Sequence, residues 1–140
     1  MRGLFPIVLI SVLSVCGVAN AKSACSSGDD PPAIKLHSWN AKKIDDATTE
    51  FVLSIETTFQ KNVRMVDGYV SYSDVLGGER MGAFEFPRDN ALPARAKTPL
   101  TIKVGSMVVP RILKVNADDV VADLCVKGVV YDDGTQETFK

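Results

Sequence analysis

Histidine, tryptophan and cysteine are scarce: the 140 residues hold one His, one Trp and three Cys. With a single histidine, any Ser-His-Asp or Cys-His centre has only His37 as its base, and no nucleophile-elbow sequence lies near it. A strong charge of either sign is also missing. The formal net charge is −1, which removes the electrostatic reason to seek nucleic acid or anionic lipid. Basic residues are scattered, and the adjacent pair Lys42-Lys43 reads as a solvated strand end. No internal repeat, low-complexity tract or long helical periodicity is visible. Beyond the N-terminus, no stretch is long and apolar enough to span a membrane.

The N-terminus itself is different. Met1-Arg2 is weakly basic, Gly3 to Val18 is almost wholly apolar, and Ala19-Asn20-Ala21 places small residues at −3 and −1 of a cut after Ala21. That pattern predicts a secretory signal peptide over residues 1–21. The competing reading is an uncleaved anchor, but the apolar run falls short of the ~20 residues that cross a bilayer. Lipid attachment fits poorly, because Val15 precedes Cys16 and Lys22 opens the stretch before Cys25. Cleavage leaves 119 residues, enough for one domain with a real core, and loss of Arg2 takes the net charge to −2. The expected location is the periplasm or the extracellular space, with no membrane span after cleavage.

Cys16 leaves with the signal peptide, so Cys25 and Cys125 remain. An even pair in an oxidising compartment predicts a Cys25–Cys125 disulfide. It would tie a Ser/Gly/Asp/Pro-rich tether, residues 22–32, to a strand near the C-terminus. A segment lying over the sheet would suit that bridge.

From residue 33 to 140 the pattern is that of strands. Phe51, Leu53, Ile55 and Phe59 fall on one face of a segment of alternating character, and Val66, Gly68, Val70 and Tyr72 on one face of the next. Leu76-Gly77-Gly78-Glu79 makes a turn, and Arg80 to Phe86 a short strand. Pro87 to Ala96 is a polar loop. Thr98 to Val104 points Leu100, Ile102 and Val104 inward. Met107 to Val115 is ambiguous because Pro110 would disrupt a central strand. Asn116-Ala117-Asp118-Asp119 reads as a turn or one helical turn, with Asn116 able to cap it. Val120 to Tyr131 would bury Ala122, Leu124, Val126 and Val130, with Cys125 on the opposite face. Asp132-Asp133-Gly134 closes a hairpin. The first strand, Ile34 to Ile44, has an unclear buried face because of His37 and Trp39. Seven to eight short strands without a long helix predict an all-β, immunoglobulin-like antiparallel sandwich.

The run Val63-Arg64-Met65-Val66-Asp67-Gly68-Tyr69-Val70-Ser71-Tyr72-Ser73-Asp74-Val75-Leu76-Gly77 resembles the core of bacterial FxLyD-type domains. There an alternating strand ends in aromatic-x-Asp and a Gly-containing turn, as Tyr72-Ser73-Asp74 and Gly77-Gly78 do here. Val129 to Thr135 is similar to the closing hairpin of such envelope proteins. The Phe and Leu of the family's name are replaced here by Val70 and Tyr72. The resemblance implies an exported, immunoglobulin-like domain and no catalytic residues.

Asp118, Asp119, Asp123, Asp132 and Asp133 are numerous but lack the D-x-[DN]-x-[DN]-G spacing of a calcium loop. Met65, Met81, Met107 and His37 are copper-type ligands that are dispersed in sequence. Glu56, Asp67, Asp74 and Glu85 would have to meet across a sheet to serve a carboxylate-based hydrolase. The expectation is therefore no enzyme, no cofactor and no metal, but a binding or accessory module for another protein or a cell-surface component. The alternatives are a small hydrolase and a metal-binding periplasmic protein. An outward Met65 and Tyr69 flanking Asp67, with Trp39, is the candidate contact patch.

Overall fold

Apolar residues at every second position organise the chain into seven antiparallel strands in the computed structural model, which describes residues 22–28, 30–77, 79–105, 108 and 110–140. Residues 1–21, where the sequence pattern predicts a signal peptide that includes Cys16, lie outside the described residues, as do Gly78 and Met107. The strands are β1 (Ile34–Lys43), β2 (Thr49–Thr57), β3 (Val63–Asp74), β4 (Arg80–Glu85), β5 (Lys97–Val104), β6 (Val120–Tyr131) and β7 (Gln136–Thr138). They form a sheet of order β1-β2-β5 and a sheet of order β4-β3-β6-β7. This is an immunoglobulin-like sandwich in which the fourth strand joins the sheet of the third, sixth and seventh strands.

Between the sheets lies a core in which Phe51, Leu53, Ile55, Phe59, Val63, Val66, Val70, Tyr72, Met81 and Leu124 are fully buried. Each such large side chain removed from water contributes roughly 1.5–3 kcal/mol before entropy is subtracted. Aromatic rings meet at its centre. Tyr72 lies 4.9 Å from Trp39, 5.1 Å from Phe51 and 5.8 Å from Phe84 between ring centroids.

Four register shifts interrupt the ladders among the described residues, and two of them bear on the buried faces expected from the sequence. In β1 the register with β2 shifts between Leu36 and Ser38, at His37. Leu36, Trp39 and Ala41 thereby all face inward and pack on the core. Trp39 pairs with the buried Leu53, so it is not part of an outward patch. In the β3–β6 ladder the register shifts between Asp67 and Gly68, opposite Val126 to Gly128. That extra residue flips the second half of β6. Val129 and Tyr131 are buried, whereas Val130 pairs with the exposed Met65 and lies on the outer face. Gly68 is required there, because a Cβ would stand 2.5 Å from the Cys125 carbonyl oxygen.

The segment read as a tether belongs to the sheet. Ser26 N donates to Leu124 O at 2.8 Å and Val126 N to Ala24 O at 2.7 Å, so residues 24–26 pair in-plane along the edge of β6, not over its face. The Asp123 carboxylate pins the same segment. It accepts from Ser26 Oγ at 2.8 Å, Ser27 N at 3.0 Å and Ser27 Oγ at 2.7 Å. Further on, Thr58 Oγ1 donates to the Pro32 and Ala33 carbonyls, and the chain crosses to the other sheet to begin β1.

The described residues from Pro110 onward in the ambiguous stretch after β5 form no strand. Pro110–Leu113 forms a 3-10 turn that packs between β1 and β4. A second 3-10 turn, Ala117–Asp119, follows Asn116. Asn116 makes no side-chain capping bond to it, and its amide contacts the Asp119 carboxylate instead.

Candidate functional site

The outer face of the four-stranded sheet presents Met65, Asp67, Tyr69, Ser71 and Ser73, because their alternating partners Val66, Gly68, Val70 and Tyr72 are buried. Tyr69 stands between two cross-strand neighbours, Glu85 on β4 and Cys125 on β6. Met65 is 39% exposed and shares this face, one outward position beyond Asp67. Asp67 is held by Arg88 at 3.1 Å.

Between β3 and β4 the face is hollowed into a shallow depression of about 680 Å³, lined by Tyr69, Ser71, Arg80, Ala83, Phe84 and Glu85. The reason is local. Ser71 and Ala83 are opposite each other and both small, so they form a low floor. Tyr69 and Glu85 are paired at one end of that floor, and Arg80, paired with Ser73 across a bulge, stands at the other. The Lys127 ammonium lies 5.7 Å from the Tyr69 ring centroid. Lys127 comes from β6, so the side of the ring toward β4 is left to the depression.

The polar groups of this depression are uncommitted. Among the described residues, no side-chain hydrogen bond or ion pair engages Tyr69 Oη, Ser71 Oγ, the Arg80 guanidinium or the Glu85 carboxylate. Many other surface carboxylates are occupied: Glu56 by His37 at 2.7 Å, Asp46 by Lys43 at 2.6 Å, Asp133 by Lys61 at 2.6 Å, and Asp74 and Glu79 by Arg111 at 3.0 and 2.6 Å. Sequence reading found Tyr69 from its alternation. Arg80 is no candidate in that reading and Glu85 enters it only as one of four dispersed carboxylates, because only strand pairing brings β4 beside β3 and sets both groups around Tyr69.

The other candidates are not brought together. His37 lies at the β1 bulge on the opposite sheet, and its Nε2 meets Glu56. That hydrogen bond holds the Glu56 carboxyl below its ordinary range. Of the four carboxylates that a hydrolase reading would need, Glu56 is on the three-stranded sheet and Asp74 is bound by Arg111 at a strand end. Asp67 and Glu85 share the outer β3–β4 face, but Asp67 is paired with Arg88. Met65 is on the outer face whereas Met81 is fully buried in the core. The C-terminal aspartates diverge, with Asp123 facing Ser26 and Ser27 and Asp133 facing Lys61 and Thr135.

Cys25, Cys125 and Asp123 are the one potential metal-ligating trio found among the described residues. The two sulfurs are joined as the expected Cys25–Cys125 disulfide, and the carboxylate is taken by the two serines. Disulfide sulfurs lack the thiolate charge that binds metal. Among the described residues no helix is long and apolar enough to cross a membrane. Comparison of the chain with protein-family models, curated protein sequences and solved structures finds no match.

Proposed function

We propose that this is an exported, non-catalytic envelope protein whose β-sandwich binds a protein or cell-surface component through the outer β3–β4 face. The observation that carries the reading is the depression beside Tyr69, where an aromatic ring and polar side chains without hydrogen-bond or ion-pair partners among the described residues border a small-residue floor. Binding sites of this kind combine apolar contact area with a few polar groups that fix orientation. The N-terminal signal pattern, the disulfide and the resemblance to FxLyD-type domains support an exported location in the periplasm or outside the cell. Trp39 is withdrawn from the contact patch because it packs inside the sandwich, which leaves Met65 and Tyr69 of the original three.

Retention on isolated cell envelopes tests the reading. Purified protein is expected to sediment with envelope fragments, and Tyr69→Ala to be retained several-fold less at an unchanged denaturation midpoint. Equal retention of parent and variant would place the binding surface elsewhere.

A further inference from the structure

We infer that the depression between β3 and β4 is a subsite for a neutral saccharide of the cell surface, a ligand class that deepens the binding reading above and rests on it. Four observations converge on that chemistry. First, the Tyr69 ring borders the depression and its β4-facing side is open, giving a sugar ring's C–H face an apolar surface to lie on. Second, the floor is Ser71 and Ala83, which lets a ring descend toward the sheet without meeting a long side chain. Third, the uncommitted groups are a guanidinium, a carboxylate and two hydroxyls. Arg80 only donates, Glu85 only accepts, and Ser71 and Tyr69 do both. A polyol, whose hydroxyls both donate and accept, satisfies all four.

The fourth observation is charge. Arg80 and Glu85 are the charged residues of the lining and oppose each other in sign, so the lining carries no net charge, with the Lys127 ammonium set against the Tyr69 ring beside it. It gives a polyanion or a polycation little advantage. Size points the same way. About 680 Å³ lies within the ~300–1,000 Å³ of small-molecule sites. Strand addition by a peptide is disfavoured, because the 3-10 turn Pro110–Leu113 packs against β4, and Val108 sits 3.9 Å from the Cβ position of Gly82.

Titration of isotope-labelled, disulfide-intact protein with maltotriose, cellotriose and N,N′,N″-triacetylchitotriose, followed by amide chemical shifts, tests this. At least one trisaccharide is expected to shift amides of Tyr69, Ser71, Ala83 and Glu85. Arg80→Ala and Glu85→Gln are each expected to weaken it about tenfold or more, the loss of one charge-assisted hydrogen bond. Both variants should keep the parent's melting temperature, since neither side chain has a hydrogen-bond or ion-pair partner among the described residues. Absence of shifts with all three sugars, while Tyr69→Ala still abolishes envelope retention, overturns the saccharide subsite and leaves the binding face standing. Absence of both overturns the two together. Shifts located elsewhere, unchanged in the Arg80 and Glu85 variants, also refute the subsite.

Discussion

Cys25 and Cys125 face each other as an antiparallel pair along the edge of the four-stranded sheet, with Cα atoms 4.0 Å apart and 100 positions between them in sequence. The bridge fixes the N-terminal segment as an added stretch of sheet edge where the three-residue β7 does not reach. It thereby covers backbone groups of β6 that would otherwise invite pairing with another chain.

Closing a loop of this length is worth roughly 4–5 kcal/mol in the chain-entropy model, and often less in practice. The Cys25→Ser/Cys125→Ser double variant is therefore expected to unfold at a clearly lower denaturant midpoint than the oxidised parent. A thermal or chemical melt that does not move on removing the bridge would contradict this. Two alkylatable thiols in the non-reduced protein would show that the bridge does not form.

Asp74 ends β3 and accepts from the backbone N–H of Leu76 at 3.1 Å, in a turn where Gly77 takes a positive φ of 75°. Its other oxygen receives Arg111 at 3.0 Å, which fastens the β5–β6 connection to the hairpin. Asp74→Ala is expected to cost about 1–2 kcal/mol in urea unfolding while leaving envelope retention intact. An unchanged midpoint would deny Asp74 this structural role.

Tyr72 is fully buried, and its hydroxyl has no hydrogen-bond partner among the described residues. Burial pushes its phenol well above the ordinary value. An orphaned hydroxyl costs desolvation without return, so Tyr72→Phe is expected to be neutral or stabilising. Tyr72→Ala, which empties the centre of the aromatic cluster, is expected to cost about 3–5 kcal/mol. Loss of more than about 1 kcal/mol in the Phe variant would reveal a partner for the hydroxyl.

Asp133 is held below the ordinary carboxylate range, first by the Lys61 ammonium and then by the Thr135 hydroxyl and backbone N–H. A carboxyl depressed in the folded state stabilises above its unfolded pKa of about 4, and that contribution is lost as pH falls. Stability is thus expected to be flat near neutrality and to decline on acidification below about pH 4, with a shallower decline in Asp133→Asn. The side chain is 45% exposed, so added salt should shrink the difference. Identical acid limbs in parent and variant would exclude the effect.

Much of the fold was legible because alternation is a local signal. Phe51, Leu53 and Ile55, or Val66, Val70 and Tyr72, declare an inner face without reference to any partner strand. Bulges are where that signal fails. The bulge at His37 turned Trp39 inward, and the one opposite Gly68 exchanged Val130 for Val129 and Tyr131. Both depend on the register of two strands and leave no mark in one strand's composition. The N-terminal segment escaped notice for a related reason. Its order comes from Asp123, about a hundred residues away, whose carboxylate gathers Ser26 and Ser27. The site was half legible: Tyr69 follows from alternation, whereas Arg80 and Glu85 become its neighbours only through the β3–β4 ladder.

The central claim is that the β3–β4 outer face makes contact in the cell, and photo-crosslinking from that face tests it most directly. A photoreactive amino acid replaces Ser71 on the floor of the depression, or Thr101, which is exposed on the three-stranded sheet. The account predicts a discrete covalent adduct to an envelope component from position 71, lost when Tyr69→Ala is added, and none from position 101. Equal labelling from both positions, or an adduct from position 101 alone, would contradict it.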